Sequence, residues 1–194
     1  MYKMVTKGHH TCRKDGGKEE VIKNAPFLAE HTPNEKDPKK QKLQFLGQGY
    51  YFWDNNFEMA RIWGKSDCNN HFFIIECEIE ISETKCFDLV GNRNHQIFLI
   101  DMLKKMKNKG YNRDHWEISK CIEYLKLLAK HDHAVFPYES IRAIDYLPPH
   151  ELQQIEFHFV KGNKHYTILN PKMAICALKK ETLALHTVKL VYES

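Results

Sequence analysis

Two clusters of residues carry most of the chemistry this chain could perform. The first is Gly8-His9-His10-Thr11. The second is Phe45-Leu46-Gly47-Gln48-Gly49-Tyr50-Tyr51-Phe52-Trp53, with Glu58, Ala60 and Trp63 behind it. Each imidazole offers one hydrogen-bond donor and one acceptor and changes charge near neutrality, and Thr11 adds a hydroxyl. The aromatics offer flat faces, and the bracketing glycines let the backbone turn tightly beside them. Taken alone, four successive aromatics suit the core of a strand. Joined to Gly47, Gly49, Ala60 and Trp63 they suit the wall of a pocket for a flat ring.

The elements that must position these groups follow from periodicity. The β-branched and aromatic opening, Tyr2 to Thr6, predicts a short strand that delivers the His pair. Lys14 to Lys42 is polar and rich in Gly, Pro, Lys and Asn, so it predicts a long loop with one helical turn near Glu19 to Asn24. An aromatic strand into a glycine turn comes next, followed by a helix from about Asn56 to Lys65. Phe72 to Ser82 alternates Ile75, Cys77, Ile79 and Ile81 against Glu76, Glu78 and Glu80, which predicts a strand with one solvated acidic face. Cys86 to Leu89 closes that unit. Helical spacing spans Asn94 to Asn108, stopped at Gly110, and Asp114 to Lys130, capped by Asp114. Later, Gln154 to Lys161 and His165 to Leu169 read as a hairpin around Gly162-Asn163. Lys172 to Lys180 reads as a short helix or turn, and Leu183 to Tyr192 as a last strand. Strands at both ends with helices between them predict one α+β domain over residues 1–194 with one or two largely antiparallel sheets.

Bulk properties set the limits. The chain has 194 residues, 42% hydrophobic, with a formal net charge of +4, enough for a core without disulfides and too balanced to demand nucleic acid. No apolar run is long enough to span a membrane, and the amino terminus lacks the apolar centre of a secretory signal. A cytoplasmic protein with no membrane partner is expected. The Cys residues lack C-x-x-C spacing and read as free thiols in a reducing compartment, and the His residues lack the spacing of a zinc site. The Lys-rich piece Lys36 to Lys42 reads as a solvated loop. No G-x-G-x-x-G follows a strand and no P-loop occurs, so neither common nucleotide-binding motif is present.

The paired motifs resemble the first two signature elements of the ADP-ribosyltransferase superfamily, and the likeness extends to a bacterial branch through Asp88-Leu89 and Thr167-Ile168-Leu169-Asn170-Pro171. The resemblance implies an α+β fold of split antiparallel sheets with a helical insert, and NAD as the substrate that supplies ADP-ribose. It implies transfer to a protein or nucleic-acid acceptor, as a toxin, effector or modification enzyme performs it. It assigns His9 to a ribose hydroxyl, the His10 backbone to the carboxamide, Thr11 to support, and Tyr51 or Tyr50 to ring stacking. Gly49 would form the turn, and Ala60 and Trp63 the far wall. The family has Gly where His10 stands, so His10 is an alternative anchor. The third signature position, a carboxylate or its polar replacement on a late strand, has two candidates, Glu156 and His165. A catalytically degenerate binding module and an RNA-directed NAD-using transferase are the alternative implications.

Overall fold

The computed structural model describes residues 2–32, 43–109, 117–145, 156–162, 165–169 and 171–194. In chain order these form β1 (Lys3–Arg13), α1 (Gly17–Asn24), β2 (Tyr50–Asp54), α2 (Phe57–Asp67), β3 (Phe72–Ser82) and β4 (Cys86–Asp88). Then come α3 (Arg93–Asn108), α4 (Ile118–Ala129), β5 (Ser140–Asp145), β6 (Glu156–His158), β7 (Tyr166–Ile168), β8 (Lys172–Ala177) and β9 (Lys189–Glu193). A seven-stranded sheet runs in the order β4-β5-β8-β2-β1-β3-β9, with β4 and β5 parallel and the other pairs antiparallel. β6 and β7 make a separate two-stranded sheet.

β1 and β3 pair along their whole length, from Lys3 opposite Ser82 to Arg13 opposite Phe72, which fixes the register of the central sheet. A slip of one residue would turn Ile75, Cys77, Ile79 and Ile81 out of the core. On one face these residues pack with Phe52, Ile175 and Val21 of α1. The other face carries two separate clusters. One joins Phe87, Ile141 and Cys176 to Leu99 and Leu103 of α3 and Ile122 and Leu125 of α4. The other joins Phe72 and Ile74 to Ala60 of α2. Local chemistry starts the helices: the Asn56 side chain accepts from Met59 N–H at the start of α2, and Asn92 accepts from Asn94 and His95 N–H at the start of α3. Among the described residues no helix is long and apolar enough to cross a membrane.

A buried polar network crosses the sheet. Arg142 Nε of β5 donates to Asp54 Oδ2 of β2 at 2.6 Å, passing over β8, and its Nη1 lies 3.6 Å from Asp88 Oδ2 of β4. Thr6 of β1 donates to Asp54 Oδ1 at 2.6 Å, while Asp88 Oδ1 accepts from Val90 and Gly91 N–H. All six cysteines are free and buried, and burial pushes the thiols of Cys12, Cys86 and Cys176 up to about 12.

The mixed α+β organisation matches the sequence reading, as do α1, α2 and the limits of β3. Four expectations are corrected. The opening strand extends through the His pair and on to Arg13, because every residue from Thr6 to Cys12 except Lys7 is buried between neighbours. Phe45 and Leu46 lie in a turn before β2 and not in a strand. Lys172–Ala177 is a central strand, β8, in place of a helix or turn. Its last four residues are buried on both faces, which erases the alternation that marks a half-wet strand. Only the end of the last predicted strand is β9, since Leu185–Thr187 forms a 3-10 turn. The stop at Gly110, the cap at Asp114, the Lys36 to Lys42 piece and Asn163 lie outside the described residues.

The polar network generates a prediction. Arg142→Ala would strand two buried carboxylates, and removing one partner of such a pair costs about 3–5 kcal/mol. The urea midpoint is expected to fall accordingly, and an unchanged midpoint would show that the pair is dispensable.

Candidate functional site

Directly paired residues on neighbouring strands share a face. The register therefore aligns Ala143 of β5, Ala174 of β8, Trp53 of β2, His9 of β1, Glu76 of β3 and Lys189 of β9 in one row. On this face Tyr51 packs into the cluster under α3 and α4, whereas Trp53 packs into the cluster under α2. Above β2, where the two clusters separate, lies a cleft of about 230 Å³ whose lining includes His9, His10, Thr11, Tyr51, Trp53 and Trp63, with Phe45 and Gln44 contributing from the turn before β2. A second depression of about 390 Å³ shares His10, Thr11, Ala29, Trp63 and Asp67 with it and runs on to Arg13 and Asp15.

The aromatic wall is held from behind. Tyr51 Oη accepts from Leu46 N–H at 2.9 Å and donates to the Gly47 carbonyl at 2.7 Å, and burial pushes its phenol well above the ordinary range. Gly47 has a φ of 80°, a conformation that favours glycine. Gly49 has no room for a Cβ, because the Cys176 side chain and the Ala177 carbonyl of β8 press against it. Glu123 of α4 accepts from Gln48 N–H at 2.8 Å, and Lys126 donates to the Gln48 carbonyl at 3.2 Å. The turn thus presents the Phe45 ring 5.3 Å from that of Tyr51.

The two adjacent histidines have different fates because successive strand residues point to opposite faces. His9 faces the cleft side. Its ring meets Phe57 edge-on at 5.8 Å, and its Nε2 lies 3.4 Å from Glu76 Oε2. Its Nδ1 is buried without a hydrogen-bond partner. Burial lowers its pKa more than Glu76 raises it, so the ring is neutral at pH 7. His10 is fully committed to the backbone. Its Nδ1–H donates to the Tyr51 carbonyl at 2.8 Å, and its Nε2 accepts from Phe27 N–H at 3.2 Å. That pattern defines a neutral imidazole, and burial pushes its pKa down to about 4, with Lys180 adding to the effect against the Tyr51 carbonyl. His10 is therefore a fastener between β1, β2 and the Phe27 segment, and its side chain has no nitrogen left for a ligand.

Of the remaining sequence candidates, Thr11 and Trp63 line the cleft, and the Thr11 hydroxyl donates to the Ala60 carbonyl at 2.8 Å. Tyr50 packs against the core on the opposite face, so Tyr51 is the tyrosine on the cleft. Ala60 is fully buried beneath the wall, and Gly49, just before β2, lies pressed against Cys176 and Ala177 of β8. Glu156 begins β6 and His165 precedes β7, both in the separate two-stranded sheet, and His165 is exposed. The strand that pairs with β2 is β8, and it places Ala174 opposite Trp53. Asp67 and Ala174 were not singled out from sequence, Trp53 was named only within the aromatic run, and Glu76 only as part of a solvated face. Glu76 is the clearest case, because it belongs to the stripe predicted as solvated, yet its side chain is only 14% exposed. Among the described residues no group of His, Cys, Asp and Glu is arranged to hold a metal ion.

Comparisons with protein-family models, with curated proteins and with solved structures found no match to this chain.

His10 carries a pH prediction. An unfolded imidazole takes a proton below 6.5, whereas folded His10 refuses it until about 4, so its stabilisation is complete above that window and lost as pH falls through it. His10→Gln is expected to reduce the loss in unfolding free energy between about pH 7 and about pH 4.5 by about 2 kcal/mol. Parallel losses in both proteins would exclude His10 as the cause.

Proposed function

We propose that this protein binds the nicotinamide and ribose end of NAD in the cleft over β2 and transfers ADP-ribose to a macromolecular acceptor, protein or nucleic acid. The observation that carries the reading is the convergence of His9, Thr11 and Tyr51, drawn from two separate sequence motifs, on one cleft with Trp53 and Trp63. The aromatic wall fits a flat pyridine ring. The imidazole of His9 on the cleft lining offers a polar ring beside a hydroxylated sugar. The depression running on to Arg13 leaves space for the rest of a dinucleotide beyond the smaller cleft.

In the proposed reaction the bond between the nicotinamide nitrogen and the ribose anomeric carbon breaks and nicotinamide leaves as a neutral molecule. The sugar passes through an oxocarbenium-like state, as in glycoside cleavage. An acceptor nucleophile then bonds to the anomeric carbon and gives up its proton. Because nicotinamide leaves readily, orientation and charge stabilisation are the main demands on the protein. Asp67 is the carboxylate on the described lining of the cleft, and Glu156 and His165 stand as candidates for the third element from the β6–β7 hairpin.

A second reading, binding without transfer, is favoured by Ala174. The strand that flanks β2 puts a methyl group, and no carboxylate, in the row beside Trp53. Incubation with labelled NAD and lysate separates the readings. Label on protein or nucleic acid supports transfer, binding alone supports the second reading, and the absence of both defeats the proposal.

Tryptophan fluorescence provides the binding measurement. Saturable quenching by NAD is expected. Stacking of one aromatic is worth about 0.5–1.5 kcal/mol, so Trp63→Ala is expected to weaken binding about twofold to tenfold. An unaltered affinity would remove Trp63 from the site.

A further inference from the structure

The chain leaves the main sheet after Asp145 and rejoins it at Lys172, two residues that pair with each other across β5 and β8. The excursion carries the β6–β7 hairpin, whose strands, among the described residues, pair only with each other. Phe157 stands opposite Thr167, and Phe159 N–H donates to the His165 carbonyl at 3.3 Å, which continues the register. Phe157, Phe159, His165 and Thr167 therefore share one face. Large apolar groups are rarely left uncovered together, yet Phe157, Phe159, Val160 and Leu169 are each at least half exposed. A two-stranded hairpin is marginal by itself, so a partner laid on this face also stabilises it.

Charge and spacing decide the partner. From Phe157 to Lys172 the sequence contains Lys161, Lys164 and Lys172 and no Asp or Glu, so the arm attracts a polyanion. Its turn begins with Lys161-Gly162, a polar tip unlike the apolar one with which a loop enters a bilayer. Phe157 and Phe159 lie about 6.6 Å apart along one strand, roughly twice the ~3.4 Å spacing of stacked bases, so each ring meets a different base of an extended strand. Rings accept any unpaired base, whereas bases in a duplex keep their faces covered. We infer that the β6–β7 hairpin is the arm that docks the acceptor, and that this acceptor is a single-stranded nucleic acid whose unpaired bases stack on Phe157 and Phe159 while Lys161 meets phosphate. The acceptor role rests on the reading of the cleft as a site of ADP-ribose transfer. Placement suits it: from Ile168 to Lys172 the chain spans at most about 14 Å, and Ala174, just beyond, lines the cleft. In the transfer a nucleophilic oxygen or nitrogen of the strand bonds to the ribose anomeric carbon. Nicotinamide departs with the electron pair of the broken bond, and the proton of the nucleophile goes to solvent.

Fluorescence anisotropy of end-labelled DNA and RNA strands of about 12 nucleotides measures docking without NAD. Saturable binding is expected, tighter than that of the same sequence as a duplex and weakened by salt. Phe157→Ala and Phe159→Ala are each expected to weaken it about fivefold or more, the worth of one stacked base, and Lys161→Gln to lower the salt slope by about 0.7. Quenching of tryptophan fluorescence by NAD should be the same in these variants, whose altered side chains are exposed. With labelled NAD, the label is expected on the strand in the wild type and to fall when both Phe157→Ala and Phe159→Ala are present. A duplex bound as tightly as the single strand, no strand bound, or Phe variants that bind like the wild type overturns the inference. So does label that passes only to protein, or binding of anionic phospholipid vesicles, in place of the strands, that the same variants abolish. Strand binding that needs both Phe side chains, together with no binding of NAD at all, places the failure in the dinucleotide reading. The acceptor role falls with it, and a strand-binding arm remains.

Discussion

The bond from Arg142 to Asp54 spans a strand that belongs to neither partner, and much of the sheet is organised around it. β8 lies between β5 and β2, so backbone ladders alone would leave those two strands connected only through their shared neighbour. The guanidinium bridges them directly, and it reaches Asp88 on β4 as well, while Thr6 brings in β1. Buried ions cost several kcal/mol to desolvate, so such a group gives little net stability compared with an apolar core of equal shape. What it does supply is geometry. Arg142 and Asp54 are satisfied together only when β5, β8 and β2 hold the register that also puts Trp53 beside Ala174 and His9.

With β2 fixed at the centre, the cleft follows from packing. The helices on its outer face cover the two ends of the sheet, α3 and α4 over β4, β5 and β8, and α2 over β1 and β3. They do not meet above β2, and Tyr51 and Trp53, two residues apart on one strand, belong to different clusters. Of the aromatic run, Tyr51 and Trp53 reach the cleft between the two clusters, whereas Tyr50 and Phe52 pack into the core on the opposite face. The same alternation that gives His9 to the cleft gives His10 to the backbone, so adjacent residues of one type serve recognition and assembly separately.

How much of this could be read from sequence depends on how far each signal is local. β3 was legible because its apolar and acidic residues alternate without a break, and α2 because Asn56 caps it and its apolar residues recur on one face. β8 was not, because Ala174-Ile175-Cys176-Ala177 is buried on both sides and its small residues carry no strand preference of their own. The convergence of the His and Tyr motifs was legible as a pattern of residue types, but which histidine is tied up by the backbone was not, since that depends on pairing with β2. Glu76 shows the same limit. Alternation placed it correctly on the polar face, and only the arrival of β9, with Lys189 opposite, turned that position from a wet surface into a shielded ion pair.

The six thiols are spread over β1, the end of α2, β3, β4, α4 and β8, and all are buried. Alkylation requires the thiolate and physical access, both of which burial withholds while the surrounding element stays closed. Each cysteine is thus a built-in reporter of its own element: the order in which a thiol reagent modifies Cys12, Cys68, Cys77, Cys86, Cys121 and Cys176 would rank the elements by the free energy of their local opening. The molecule carries an opening clock at each of these places without any label having to be introduced.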